Sequence, residues 1–291
     1  MLNGFIKRGV KFILNNLAPT TKVYPQIISL APNCLLKGRT ALITGGTSGI
    51  GYEIAKAFLD AGANVIITGR NKERIDVSIA QLKNTIQSKS EVNGIVLNNL
   101  KVSDFKNRFA EALKIANAPI DILVNNAGVL GCDFSNGNEE EYDAVLDTNL
   151  KGVFFLSQLV AHYMKDHHIK GNILNVASSS SLRPAASAYT LSKWGIRGLT
   201  QGMARTLTQY DIVVNGIAPG PTATPMLMRE GVSKDISLKQ SMTGRYALPE
   251  EIANMAVILV SDMSRMVVGD IVYMTGGAGL ITNDDITYAF D

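Results

Sequence analysis

Cysteine, histidine and charge are all scarce in this chain of 291 residues. Cys34 and Cys132 cannot build a disulfide framework, and their spacing fits no metal site. A reducing compartment, the cytoplasm, is the expected setting. His162, His167 and His168 have no cysteine partners nearby and read as a solvated helix end, so no metal is expected. Charged residues make up 18% of the chain and the net charge is +3, too mild to indicate a nucleic-acid partner. No apolar run reaches the roughly 18 residues that a membrane-spanning helix needs.

Acidic residues are missing altogether from residues 1–38, which carry Lys7, Arg8, Lys11, Lys22 and Lys37. The other 23 bases face all 25 acids, so the basic character sits in this tail. Residues 1–37 are expected to be an extension. Phe5, Ile6, Val10, Ile13, Leu14 and Leu17 fall at helix-like spacing among the bases, and Pro19, Pro25 and Pro32 then break the pattern. Packing on the main domain or on a partner subunit is the favoured reading. Contact with a membrane surface and a targeting presequence, for which serine and arginine are few, are the alternatives. Phe12 to Leu14 is far too short for the core of a secretory signal.

What is present is apolar: 46% of residues, enough to bury a large core in one domain over residues 38–291. From Arg39 strands and helices alternate. Expected strands are 40–44, 65–68, 94–98, 121–125, 172–177, 212–217 and 271–274. Expected helices lead from the first glycine turn to Ala61 and over 72–87, 104–116, 139–165, from Tyr189 onward, and from Pro249. Such alternation gives right-handed crossovers and a parallel sheet covered on both faces. Ligands of such sheets bind beyond the carboxyl ends of the strands.

Gly45-Gly46-Thr47-Ser48-Gly49-Ile50-Gly51 joins the first strand to the first helix. Glycines there allow a tight turn and close backbone approach, and the helix offers free N–H groups and the positive end of its dipole to a pyrophosphate. A dinucleotide site is therefore expected, although the spacing is G-x-x-x-G-x-G. An acid after the second strand would select NAD. Here Thr68-Gly69-Arg70-Asn71 has none, and Arg70 can hold a 2′-phosphate bidentately. NADP(H) is the expected cofactor.

Tyr189 and Lys193 lie four apart, on one face of a helix whose apolar positions are Leu191, Ile196 and Leu199. An ammonium one turn away favours tyrosinate and is expected to pull the phenol towards neutrality. A phenol so tuned can exchange a proton with a substrate oxygen.

From Lys37 to Leu280 the chain resembles the short-chain dehydrogenase/reductase family. The resemblance rests on motifs in the family's order: the glycine turn after Thr44, Asn125-Asn126-Ala127-Gly128, Asn149 in Thr148-Asn149-Leu150-Lys151-Gly152, Tyr189 with Lys193, Pro219-Gly220 with Thr222 and Thr224, and Gly276-Gly277. It implies a three-layer doubly wound Rossmann fold with a seven-stranded parallel sheet in the order 3-2-1-4-5-6-7. It implies a homotetramer or homodimer. It assigns Gly45, Thr47, Ser48, Gly49, Ile50, Gly51, Arg70, Asn126, Ala127, Gly128, Pro219, Gly220, Thr222 and Thr224 to the cofactor, with Tyr189 and Lys193.

The family's substrate-binding serine falls on Ser178, which is eleven residues before Tyr189 rather than the usual thirteen. Ser179, Ser180 and Ser181 are neighbouring alternatives. The acid near the adenine is absent from Asn99-Leu100-Lys101-Val102, leaving a backbone contact, and Thr275 stands before the final glycine pair in place of an acid. The scheme implied is hydride transfer between NADP(H) and a carbonyl or alcohol. Tyr189 handles the proton, Ser178 orients the oxygen, Lys193 tunes Tyr189 and binds ribose, and Asn149 holds a water. A 3-oxoacyl thioester is the substrate leaned towards. Arg197 or Lys151 would meet its carrier, and Met226, Leu227, Met228 and Met242 would shape a lid. Sugar, polyol or steroid substrates are the alternative, and a non-catalytic nucleotide-binding regulator is the reading from another class.

Overall fold

The computed structural model describes residue 24 and residues 33–86, 89–226, 228 and 235–279. The basic stretch expected over 4–17 lies outside them. Seven strands form one sheet: β1 (Thr40–Ile43), β2 (Asn64–Gly69), β3 (Val92–Val96), β4 (Ile122–Asn125), β5 (Asn172–Val176), β6 (Val213–Pro219) and β7 (Ile271–Met274). Every pairing is parallel, and the order is β3-β2-β1-β4-β5-β6-β7. The order reverses between β1 and β4, the place where an open parallel sheet leaves a crevice for ligands.

Short apolar runs become strands here because both faces are covered. Thr40–Ile43 and Ile122–Asn125 are buried at every position. Side chains alternate between two cores. Ala41, Ile43, Val65, Ile67, Ile122 and Val124 face one layer, while Leu42, Ile66 and Leu123 face the other. The first layer is built by α1 (Gly49–Asp60), α2 (Lys72–Thr85) and α7 (Pro249–Val260). The second is built by α3 (Phe105–Ala116), α5 (Gly152–Asp166) and α6 (Ala188–Leu207). Phe58 of α1 is fully buried, a burial that contributes about 1.5–3 kcal/mol.

The helical run expected over 139–165 is two helices. The first is α4 (Glu139–Leu146), opened by the Asn138 side chain accepting from Glu141 N at 2.9 Å. A five-residue π turn, Asp147–Lys151, then joins it to α5. The sequence does not mark this turn, because no proline interrupts the helical run; such turns gather at functional sites. β6 runs on to Pro219, at the strand end where a missing N–H costs no ladder bond. On α6 the buried stripe is Ala188, Ser192, Ile196, Thr200 and Ala204. Leu191, expected on the apolar face, stands off this stripe and is exposed, as is Trp194.

Candidate active site

Beyond the carboxyl ends of β1, β2, β4, β5 and β6 lies one cleft of about 1110 Å³. That exceeds the usual volume for a single small ligand and suits a dinucleotide with a substrate beside it. Of the residues expected at the site, all but Gly51 and Asn149 line it. Those two stand directly behind its wall and hold it in shape.

The glycine turn is built around absent side chains. Gly45 has φ +65°, and a Cβ there would stand 2.9 Å from Ala127 Cα. A Cβ on Gly51 would stand 2.3 Å from Asn126 Nδ2 and 2.4 Å from Gly45 O. That space is needed because Asn126 Nδ2 donates to Thr44 O at 3.0 Å and to Gly45 O at 2.9 Å. Thr44 Oγ1 in turn accepts from Asn126 N at 3.0 Å and Ala127 N at 3.1 Å. The loops after β1 and β4 are thus sewn together. Ser48, the N-cap of α1, makes no side-chain cap, and the first turn holds no acid, so its N–H groups and dipole are left for an anion.

At the far end of this trough Arg70 and Arg74 share the wall after β2. Asn71 between them caps α2, accepting from Arg74 N at 2.8 Å. Neither guanidinium is in an ion pair among the described residues. Asn98 and Asn99 line the next stretch, where an acid is missing; Asn99 Nδ2 donates to Thr148 O at 3.3 Å. Thr275, in the place of another missing acid, caps its own turn by accepting from Gly277 N at 3.1 Å.

The other end holds the polar group expected to do chemistry. Lys193 is buried and donates from Nζ to Val176 O at 2.8 Å, with the ammonium 5.6 Å from the centroid of the Tyr189 ring. Burial holds the lysine below its ordinary range, at about 8. Burial is also the largest influence on Tyr189 and pushes its phenol up, against a hydrogen bond with Ser178 that lowers it. The expected downward pull by Lys193 does not dominate: the ammonium is spent on a carbonyl, and the phenol is desolvated. Tyr189 is the second residue of α6, where the helix dipole favours an anion.

Among the four serines, Ser178 is the one whose side chain acts to lower the Tyr189 phenol. A four-residue 3-10 turn, Ser179–Leu182, takes up the shortened loop, and Ser181 Oγ ties it down by donating to Ser178 O at 2.7 Å. Asn149 sits in the π turn, 1% exposed. Its Oδ1 accepts from Val129 N at 2.8 Å, and its Nδ2 donates to Val129 O at 2.9 Å and Ser192 Oγ at 3.1 Å. Both amide hydrogens are therefore occupied in clamping the loop after β4 to α6. Across the mouth, Thr222 and Thr224 are buried on the loop after β6, with Thr222 Oγ1 donating to Gly220 O at 2.9 Å.

A glycine-bound trough ending in an uncapped helix, continuous with a half-buried tyrosine beside a buried lysine and serine, is the arrangement of a nicotinamide-dependent dehydrogenase. The model of the short chain dehydrogenase family matches residues 39–234. The chain belongs to the short-chain dehydrogenase/reductase family. It is 36% identical over 249 residues to a 3alpha-hydroxysteroid dehydrogenase of Mediterraneibacter gnavus, covering 84% of this chain and 98% of that protein. It is 35% identical over 246 residues to a 3-oxoacyl-[acyl-carrier-protein] reductase of Thermotoga maritima, covering 83% and 98%. A solved short-chain dehydrogenase/reductase of Mycobacterium marinum superposes with a TM-score of 0.77 at 28% identity, covering 84% and 97%. The protein is thus an oxidoreductase of this family, acting on carbonyl or CH–OH groups with NAD(P).

Several wall residues escape sequence reasoning. Arg74 has a signal, since it lies one turn from Arg70. Gln240, Tyr246 and Gly279 come from distant segments and have none. Of the methionines expected to shape a lid, Met226 lines the cleft and Met228 and Met242 do not; Leu227 lies outside the described residues. Lys151 pairs with Asp147 at 3.1 Å and Arg197 stacks over Trp194 at 5.6 Å, so neither faces the cleft as a carrier contact would require.

Proposed function

We propose that this protein is an NADP(H)-dependent reductase or dehydrogenase of a ketone or secondary alcohol, acting in the cytoplasm as a homotetramer or homodimer. The observation that carries the cofactor choice is the pair of guanidiniums, Arg70 and Arg74, in no ion pair among the described residues, beyond β2 where a ribose-binding acid would stand. Gly45, Thr47, Ser48, Gly49 and Ile50 would hold the pyrophosphate, with Gly51 giving the turn its room. Asn126, Ala127 and Gly128 would flank the adenosine side, and Pro219, Gly220, Thr222 and Thr224 the nicotinamide side. Bound there, the cofactor supplies or accepts a hydride at the substrate carbon.

The chain's own residues do the rest. Ser178 donates to the substrate oxygen and steadies its developing charge. Tyr189 gives that oxygen its proton, or takes it in the reverse direction. Lys193 stands near enough to stabilise a forming phenolate in a medium where charges interact strongly, and it would also bind the nicotinamide ribose. Asn149 fixes Ser192, whose Oγ donates to Tyr189 O at 2.6 Å, so it positions the catalytic turn in addition to any water it keeps.

A 3-oxoacyl thioester is the substrate class proposed first, in line with the reductase relative; steroid, sugar or polyol alcohols come second, in line with the steroid dehydrogenase relative. The exposed apolar side chains of α5 and α6, Phe154, Phe155, Leu191 and Trp194, support self-association through those helices. Residues 1–37 are proposed as an appendage that packs on the domain or on a partner subunit.

The test is NADPH oxidation over a panel of 3-oxoacyl thioesters, steroid ketones and keto sugars, repeated with NADH. Turnover with kcat/KM at least tenfold higher for NADPH is expected, and Arg70→Ala with Arg74→Ala should erase the preference, since each charge-assisted bond contributes about 1.5–3 kcal/mol. A wild-type preference for NADH would remove the cofactor assignment.

A further inference from the structure

The charge on the cleft wall is of one sign. Arg70, Arg74, Lys193 and Arg183 line it, and no carboxylate does among the described residues. The first three have work in the proposed function. Arg183 has none.

Arg183 follows the turn that carries Ser178 and precedes α6 with Tyr189. Its main chain is held at both ends: its N–H donates to Ser180 O at 3.1 Å, and its carbonyl accepts from Trp194 Nε1 at 2.8 Å. The side chain therefore leaves from a fixed point. Its guanidinium lies over Gly279, where a Cβ would stand 3.1 Å from Nη2 and 3.3 Å from Nε. Glycine at that position, with φ +70°, leaves the guanidinium its room. Arg183 forms no ion pair among the described residues.

The sheet order separates Arg183 from the other two arginines. Arg70 follows β2 and Arg183 follows β5, three strand steps apart in β2-β1-β4-β5. That is about 14 Å at the usual strand spacing. One phosphate cannot serve both ends. A guanidinium presents a planar fork that matches a carboxylate or a phosphate.

We propose that Arg183 is a specificity-determining residue that binds an anionic group, carboxylate or phosphate, on the substrate, so that the preferred ketone or alcohol carries such a group, as a sugar acid or the phosphate of a thioester's carrier arm would supply. The proposal rests on the dehydrogenase reading of the cleft. It adds that the reacting carbon, beside Ser178 and Tyr189, and the anion, over Gly279, are held by the two ends of one short segment.

The test uses the full-length protein and its NADPH complex, followed by nicotinamide fluorescence. D-gluconate, inorganic phosphate and sorbitol are titrated in turn. Sorbitol is gluconate with the carboxylate replaced by a hydroxymethyl group, and neither polyol turns over with a cofactor that is already reduced. Wild type should bind gluconate or phosphate about 10- to 100-fold more tightly than sorbitol, the range one charge-assisted pair contributes. Arg183→Gln should abolish that advantage while leaving NADPH and sorbitol affinities unchanged, and Arg183→Lys should retain part of it. Tighter binding of gluconate than of phosphate assigns a carboxylate, and the reverse order a phosphate. Anions that bind no better than sorbitol to wild type, or equally well to Arg183→Gln, overturn the proposal. A wild type that binds neither NADPH nor NADH overturns the dehydrogenase reading itself.

Discussion

Replacing Lys193 by methionine should make the protein more stable as it makes it inactive. The ammonium is buried and its pKa falls from 10.5 to about 8, so folding must desolvate a charge at neutral pH. A shift of that size, at about 1.4 kcal/mol per unit, costs the folded state about 3 kcal/mol at pH 7. Methionine has nearly the same volume and no charge. Losing the bond to Val176 O takes back about 1 kcal/mol. The variant should therefore gain about 2 kcal/mol in urea unfolding at pH 7, or roughly 4–8 °C in melting temperature for a domain of this size.

The pH dependence carries the sharper test. Between the folded and unfolded values, 8 and 10.5, the unfolded chain holds more of the proton, so wild-type stability rises with pH in that window. Below pH 8 the penalty is constant. The penalty falls to about 1 kcal/mol at pH 10, so the stability gap between variant and wild type should close there. A variant less stable than wild type at pH 7, or a gap that ignores pH, would refute the desolvation argument. Stability held below its optimum by a functional group is the expected cost of an active site.

Two further outcomes can be stated. Tyr189→Phe removes only the hydroxyl; turnover should fall by about 10²–10⁴-fold with NADPH affinity retained, checked by steady-state kinetics beside fluorescence titration. Gly51→Ala should cost about 2–4 kcal/mol, because its Cβ would displace the Asn126 amide from two carbonyls while alanine returns about 1 kcal/mol of helix propensity. Urea unfolding measures this loss, and Asn126→Ala in the same chain should relieve only part of it, because the Cβ still stands 2.4 Å from Gly45 O.

The seven strands were legible because each is a short apolar run between turn signals, and alternation with helices fixes a parallel sheet. The largest offsets, β3 at Val92–Val96 and β6 reaching Pro219, fall at strand ends, where ladder bonds rather than side-chain pattern set the limit. The glycine turn, Tyr189 with Lys193, and Asn126 were legible for the same reason: each is a local pattern whose geometry follows from a few adjacent residues. The long helical run over 139–165 was not resolved into two, because no proline marks its π turn at Asp147–Lys151.

Local covalent order, then, determined the strand–helix rhythm, the room for a pyrophosphate and the spacing of a phenol from an amine. The folded chain alone decided the electrostatics. It buried Lys193 against Val176 O and raised Tyr189 instead of lowering it, because desolvation depends on everything that surrounds a group. It set the Ser178 side chain, of four neighbouring serines, to act on the Tyr189 phenol, and it laid Arg183 over Gly279 from nearly a hundred residues away. Such contacts form between segments that sequence distance keeps apart, and no repeat or spacing along the chain encodes which of them will meet.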